Sequence, residues 1–270
     1  MSHAERVPDD ARDVPMPLTD HLAELRHRLM VSVAAVFVGF LAAYSQAEVL
    51  FDILLEPLKP ILPENHGELV FTGLTEPFLV YIKVGLLGGV LLALPVILTQ
   101  VWLFVRPAFR GNEERYATAF VFFGSLLFVV GALFGYFLVF PFGFRFLIEF
   151  AGQRYLPMLT IGSYLTLATK MLVAFGLMFE TPLALLFVAR LGLVDASFLR
   201  RNRKYAVLLI FIIGAVLTPP DVFTQLMLAT PLLILYEVSI ILVAIAGPRR
   251  EVDADDDVPD SDGTAEQDPA

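Results

Sequence analysis

Residues 84–105 read VGLLGGVLLALPVILTQVWLFV, twenty-two positions from Val84 to Val105 without one charged side chain. Coiled as an α-helix, such a run is about 33 Å long and crosses the ~30 Å hydrocarbon core of a bilayer. Lys83 and Arg106 bound it, where charge can reach water. Two more runs share this character: nineteen residues from Leu29 to Ala47 and twenty-nine from Tyr116 to Phe144. Of the 270 residues 57% are apolar and only 17% charged, and the mean hydropathy is +0.72. A chain of this size cannot bury that much apolar surface within itself, so the excess faces lipid. The fold class is an all-α polytopic membrane protein.

Outward from that core the other spans are less regular. A fourth, about Ile161 to Ala189, is interrupted by Lys170 and Glu180. Tyr205 to Leu217 holds thirteen residues before Thr218-Pro219-Pro220-Asp221, and a last span begins at Val222 with Glu237 partway along. The expectation is six transmembrane helices, with five and six short and matched in depth. The fifth covers only ~20 Å, which a bilayer accommodates by thinning. Pro95, Pro182 and Pro231 should kink their helices. The loop from Glu48 to Thr75 carries Pro57, Pro60 and Pro63 and should hold short helices broken at them; a second loop should run from Pro141 to Gly162.

Lys and Arg set the orientation. Fourteen fall in one set of flanks and five in the other, which places both termini in the cytoplasm. The net charge of −9 is mostly local, because residues 247–270 alone carry −7. Residues 1–17 read as a disordered cytoplasmic lead, 18–246 as the six-helix domain and 247–270 as an acidic disordered cytoplasmic tail. The first apolar run starts only at Leu29 and reads as a retained anchor, not a cleavable signal. With no cysteine there are no disulfides and no thiolate chemistry.

The four histidines, His3, His21, His27 and His66, all lie outside the spans. No nucleophile–base pair, metal-ligand cluster or phosphate-cradling loop can be assembled, so the enzyme reading is poor and no metal or cofactor is expected. Nothing reads as a nucleic-acid surface. The chemistry lies in carboxylates. Glu180, two residues before Pro182, is a charge within a span and costs roughly 2.5–3.5 kcal/mol on insertion scales. It marks an inward-facing polar patch, or else merely pins two helices. Lys170, ten residues earlier, is on another face and reads as snorkelling. Glu237 reads as a solvated interfacial residue. Ahead of the first span Asp20 and Glu24 share one helical face. The loop between the second and third spans holds Glu113 and Glu114 among arginines, where internal ion pairing is the plainest role for any one of them.

His21-Leu22-Ala23-Glu24-Leu25-Arg26 resembles the HLxELR motif of the TatC family, the receptor subunits of the twin-arginine protein translocase. The likeness continues in order along the chain. It includes Glu76-Pro77-Phe78 with Lys83, Pro95, Gln100 to Phe104 with Pro107, and Phe175-Gly176 with Phe179-Glu180-Thr181-Pro182. Arg203-Lys204-Tyr205, Leu217 to Asp221 with Gln225, and Pro231 with Tyr236-Glu237 complete it.

The resemblance implies a signal-peptide site made by Glu24, Glu113 or Glu114, Phe104 and Arg26. Paired guanidinium groups suit carboxylates, which they grip bidentately. It implies a partner-helix contact at Glu180, Pro182 and Gln225, and assembly or structural roles for Pro57, Pro95, Asp221 and Glu237. The implied partners are TatA- or TatB-like single-span proteins, folded cargo bearing twin-arginine signals, membrane lipid and further copies of the chain. The implied fold is an open, concave cup in a bacterial cytoplasmic membrane, driven by the proton-motive force. A proton-coupled small-solute transporter using Glu180 is the alternative; it calls for inverted repeats, which the sequence lacks.

Overall fold

The computed structural model describes residues 18–61, 69–106, 114–151, 159–217 and 222–246. They are helical almost throughout. The helices are α1 (Leu18–Tyr44), α2 (Ala47–Leu55), α3 (Glu76–Val105), α4 (Glu114–Phe134), α5 (Phe140–Ala151), α6 (Ile161–Phe179), α7 (Thr181–Arg190), α8 (Ala196–Arg201), α9 (Arg203–Leu217) and α10 (Val222–Ala246). Five runs are long and apolar enough to span a membrane: α1, α3, α4 continued into α5, α6 continued into α7, and α10. The sixth apolar helix, α9, has 15 residues and reaches only about 22 Å.

Two expectations are corrected. The second loop does not begin at Pro141. A π-helical turn, Gly135–Val139, joins α4 to α5, and the helix runs on to Ala151. Pro141 has no N–H to give and its ring crowds the carbonyl four residues back; a widened π turn just before it relieves both faults. Nor is the last helix short. α10 has 25 residues, about 37 Å, and passes through Pro231 without interruption. Glu237 reads as a boundary in sequence because it is charged, but its carboxylate pairs with Arg203 at 2.7 Å. The helix then runs nine residues further, its Ile240 and Val243 packed with Ala189 and Leu199.

The helices pack as an open row. α1 lies on α3, α3 on α4 and α6, α10 on α7 and α9, and α1 has no substantial contact with α9 or α10. Small residues allow the closest crossing: a Cβ on Gly39 would lie 2.6 Å from the Gly89 carbonyl oxygen, and one on Gly89 would lie 2.6 Å from the Phe40 nitrogen. Only glycine fits on either side, the usual device where lipid supplies no hydrophobic drive between helices. The main core gathers Leu58, Val84, Phe140, Leu165, Phe175 and Leu228, all nearly inaccessible.

The expected short helices after α1 exist, as α2 and a single 3₁₀ turn, Lys59–Ile61, with Pro57 in the turn between them. Tyr136 and Tyr164 donate their hydroxyls to the carbonyls of Ile53 and Leu54 in the last turn of α2, the former a second bond beside the one Ile53 accepts from Glu56 N–H. At the far end of α7, Gly192 has φ +76°, with its N–H bonded to Ala189 and that of Leu193 to Val188. This is a Schellman cap, and glycine is needed to make it.

Candidate functional site

The N-terminal turns of α1 and the C-terminal turns of α3 build one surface. His21, Glu24 and Arg28 recur at helical spacing on the α1 face turned toward α3. Gln100 and Phe104 answer them one turn apart. The His21 ring stacks on Phe104 with centroids 4.5 Å apart. Arg28 donates to the Glu24 carboxylate at 2.9 Å and to the Gln100 side-chain carbonyl at 3.3 Å. Both members of the ion pair keep about a quarter of their side-chain surface exposed. One carboxylate oxygen of Glu24 is thus engaged, and the other holds lone pairs for an incoming donor.

Arg26 is not part of this surface. It is exposed and lies two positions from Glu24, on a different face of α1. Glu113 and Asp221 lie outside the described residues, and Glu114 is described only as the first residue of α4. Beneath the surface Trp102, Phe120 and Phe187 form an aromatic triangle with centroids 5.3–5.6 Å apart, fastening α3, α4 and α7 together. Beside it α3 and α4 enclose an apolar groove of about 760 Å³ that includes Trp102, Phe122 and Val129. The sequence reading missed the triangle. Trp102 is the chain's single tryptophan and could have been flagged, but its partners lie on separate helices.

Glu180 occupies the break between α6 and α7. Its N–H is bonded to the carbonyl of Leu177, and its own carbonyl accepts from Ala184, so both backbone groups of Glu180 are paired at the break. The restart at Thr181 places buried Pro182 in the first turn of α7, where a missing N–H costs nothing. One Glu180 carboxyl oxygen is buried with no hydrogen-bond partner among the described residues. The other faces α4 at Gly124, where a Cβ would approach it to 3.3 Å. Gln225 is differently placed. Its side chain donates to the Phe211 carbonyl at 3.0 Å, tying α10 to α9.

At the opposite end of the helices Glu76 is a clamp that sequence reading recognised only as part of a motif. One of its oxygens accepts from the N–H of Gly162 at 2.7 Å. The other accepts from Thr72 N–H at 2.8 Å, Gly73 N–H at 3.3 Å and the Thr72 hydroxyl at 3.3 Å. A parallel bridge between Val70 and Thr160 lies alongside. Among the described residues no cluster of His, Asp and Glu has the makings of a metal site.

Fold and composition together define a helical, multi-span membrane protein whose described residues carry polar surfaces at the helix ends and the Glu180 carboxyl at the break between α6 and α7. The family profile of the Sec-independent protein translocase protein (TatC) matches residues 20–231, and the chain belongs to that family. A TatC of Desulforapulum autotrophicum is 48% identical over 246 residues, covering 91% of both chains. A TatC of Carboxydothermus hydrogenoformans is 41% identical and covers 88% of this chain and 97% of that one. Among solved structures, a crystal structure of the twin-arginine translocase receptor TatC superposes with a TM-score of 0.75 at 38% identity, over 84% of this chain and 99% of the other. The chain is therefore a protein-translocase component, as the HLxELR resemblance implies.

Proposed function

We propose that this translocase subunit is the receptor that binds twin-arginine signal peptides at the α1–α3 surface, in the cytoplasm of a bacterial cell with both termini on that side. The observation that carries this reading is Glu24: a carboxylate partly open to solvent, with one oxygen uncommitted, beside the stacked His21–Phe104 pair. A guanidinium finds a free carboxylate oxygen there, both oxygens if Arg28 is displaced, and aromatic rings next to it. Glu113 or Glu114 would supply the second carboxylate from the α3–α4 connection. The hydrophobic part of the signal would lie along the helices.

Glu180, with an unsatisfied buried oxygen, would gain a donor from a polar group on the single helix of a TatA- or TatB-like partner, and Pro182 shapes the break that presents it. Gln225 would serve that contact indirectly, by fixing α9 on α10. No catalytic step belongs to the chain, so energy for transport would come from the proton-motive force. The test is binding of a twin-arginine signal peptide to the protein in detergent, beside a twin-lysine peptide and the Glu24→Ala and Glu113→Ala variants. Lysine keeps the charge and loses the fork. Arginine preference that falls in either variant supports the receptor reading; equal, weak binding unchanged by both would sink it.

A further inference from the structure

Opposite the proposed peptide surface, a notch of about 540 Å³ lies between the starts of α3 and α6 and the last residues of α9, Val216 and Leu217. Lys83 and Lys170 line it, with the hydroxyl residues Thr166 and Ser163. Lys83 lies seven residues into α3 and Lys170 nine into α6, so their Cα atoms lie about 10–14 Å below the helix starts, with both side chains exposed. Neither makes an ion pair among the described residues. A cation that deep in a membrane protein ordinarily has a counter-charge.

Hydrogen-bond accounting gives the sign of the missing group. The one carboxylate lining the notch, Glu76, already accepts four bonds from Thr72, Gly73 and Gly162, three on one oxygen and one on the other. Thr166 spends its proton on the Gly162 carbonyl at 2.6 Å and accepts from Lys83 at 2.9 Å. Ser163 accepts from the Thr160 hydroxyl at 2.8 Å, which leaves its own proton to give. Lys83 retains two donors and Lys170 three. Donors outnumber acceptors and two ammonium groups outweigh one carboxylate, so the notch suits an acceptor-rich anion. The last residues of the 15-residue α9, Val216 and Leu217, form one wall, and both lysines are exposed, so a headgroup can reach them.

We propose that this notch binds the phosphate of an anionic phospholipid, from the leaflet at that end of the helices, with Lys83, Lys170 and Ser163 as donors. The phosphate ester supplies the counter-charge, and the volume leaves room for a glycerol headgroup beside it. Such a lipid would fasten α3 to α6 at the point where α9 stops short.

The experiment is native mass spectrometry of the full chain released from detergent with phosphatidylglycerol, phosphatidylcholine or inorganic phosphate. It uses the wild type, the double variant Lys83→Met with Lys170→Met, and the double arginine variant. The expected result is phosphatidylglycerol retained at least tenfold better than phosphatidylcholine. That preference should vanish in the methionine pair and return in the arginine pair. Thermal unfolding in lipid-free detergent checks that the methionine pair is folded. Equal retention of both lipids, or a preference that the methionine pair keeps, overturns the site. Displacement of phosphatidylglycerol by millimolar inorganic phosphate overturns the lipid assignment in favour of a free anion. Twin-arginine peptide binding at the opposite end should be the same in all variants.

Discussion

Arg28 donates to Glu24 across one turn of α1, and the same guanidinium reaches Gln100 on α3. The proposed signal-arginine acceptor therefore already holds an arginine of its own. An incoming guanidinium must use the second carboxylate oxygen or displace Arg28. A partly exposed i, i+4 pair of this kind contributes about 0.2–1 kcal/mol, so it tempers affinity without closing the site. Replacing Arg28 by Gln should raise twin-arginine peptide affinity by up to about fivefold at low salt, with the gain fading as ionic strength rises. Isothermal titration at two salt concentrations measures this. Unchanged affinity would mean that Arg28 and the peptide do not share Glu24.

Much of this fold is written in the positions of charges. Uncharged runs locate α1, α3 and α4, although α1 starts eleven residues and α3 eight residues ahead of its run, and the block from Thr218 to Asp221 announces a short α9. What the sequence hides are contacts whose partner is backbone or lies far along the chain. Gln225 spends itself on a carbonyl of Phe211, and main-chain carbonyls leave no mark in composition. Glu237 reads as a solvated interfacial residue, but its ion-pair partner Arg203 lies 34 residues away and no spacing points to it. The helix through Pro141 depends on a π turn, a backbone adjustment that no residue pattern nearby specifies. The Glu24–Arg28 pair has i, i+4 spacing, but the sequence reading sets Glu24 beside Asp20, and Arg28 lies two residues beyond the quoted motif.

Glu180 has a buried carboxyl oxygen without a partner, so within the isolated chain it should cost stability. Glu180→Leu should raise unfolding stability in detergent by about 1–2 kcal/mol, because an unsatisfied polar group is exchanged for packing. The same change should abolish association with a TatA- or TatB-like partner. Unfolding midpoints and co-purification give the two readouts. A destabilised Leu variant would show that Glu180 is satisfied within the chain after all.

Glu76 ties residues 72–73 to the start of α6 through three backbone N–H groups. Glu76→Ala leaves those donors without their acceptor, so the segment before α3 should open locally while the spans stay intact. Amide exchange at Thr72, Gly73 and Gly162 should quicken by on the order of tenfold, with exchange in the middle of α3 unchanged. Glu76→Gln, which keeps one acceptor oxygen and turns the other into a donor, should fall between. Uniform acceleration along α3 would instead assign Glu76 to the stability of the whole domain.

The crossing of α1 on α3 at Gly39 and Gly89 sets where the proposed peptide site can form, because His21 and Glu24 ride on α1 while Phe104 and Gln100 ride on α3. A Cβ on Gly89 would meet Phe40 backbone atoms at 2.6 and 2.8 Å, and backbone cannot swing aside as a side chain can. Gly89→Val should therefore push the helices apart and cost about 1–3 kcal/mol. It should also weaken peptide binding, although the substitution lies fifteen residues from Phe104 on α3. Gly143, where an added Cβ meets nothing within 4 Å, is the control: Gly143→Ala should leave both properties unchanged. A crosslink between cysteines introduced at positions 21 and 104 would report the separation directly. If Gly89→Val crosslinks as readily as the parent and binds peptide as well, the helix crossing does not govern the site.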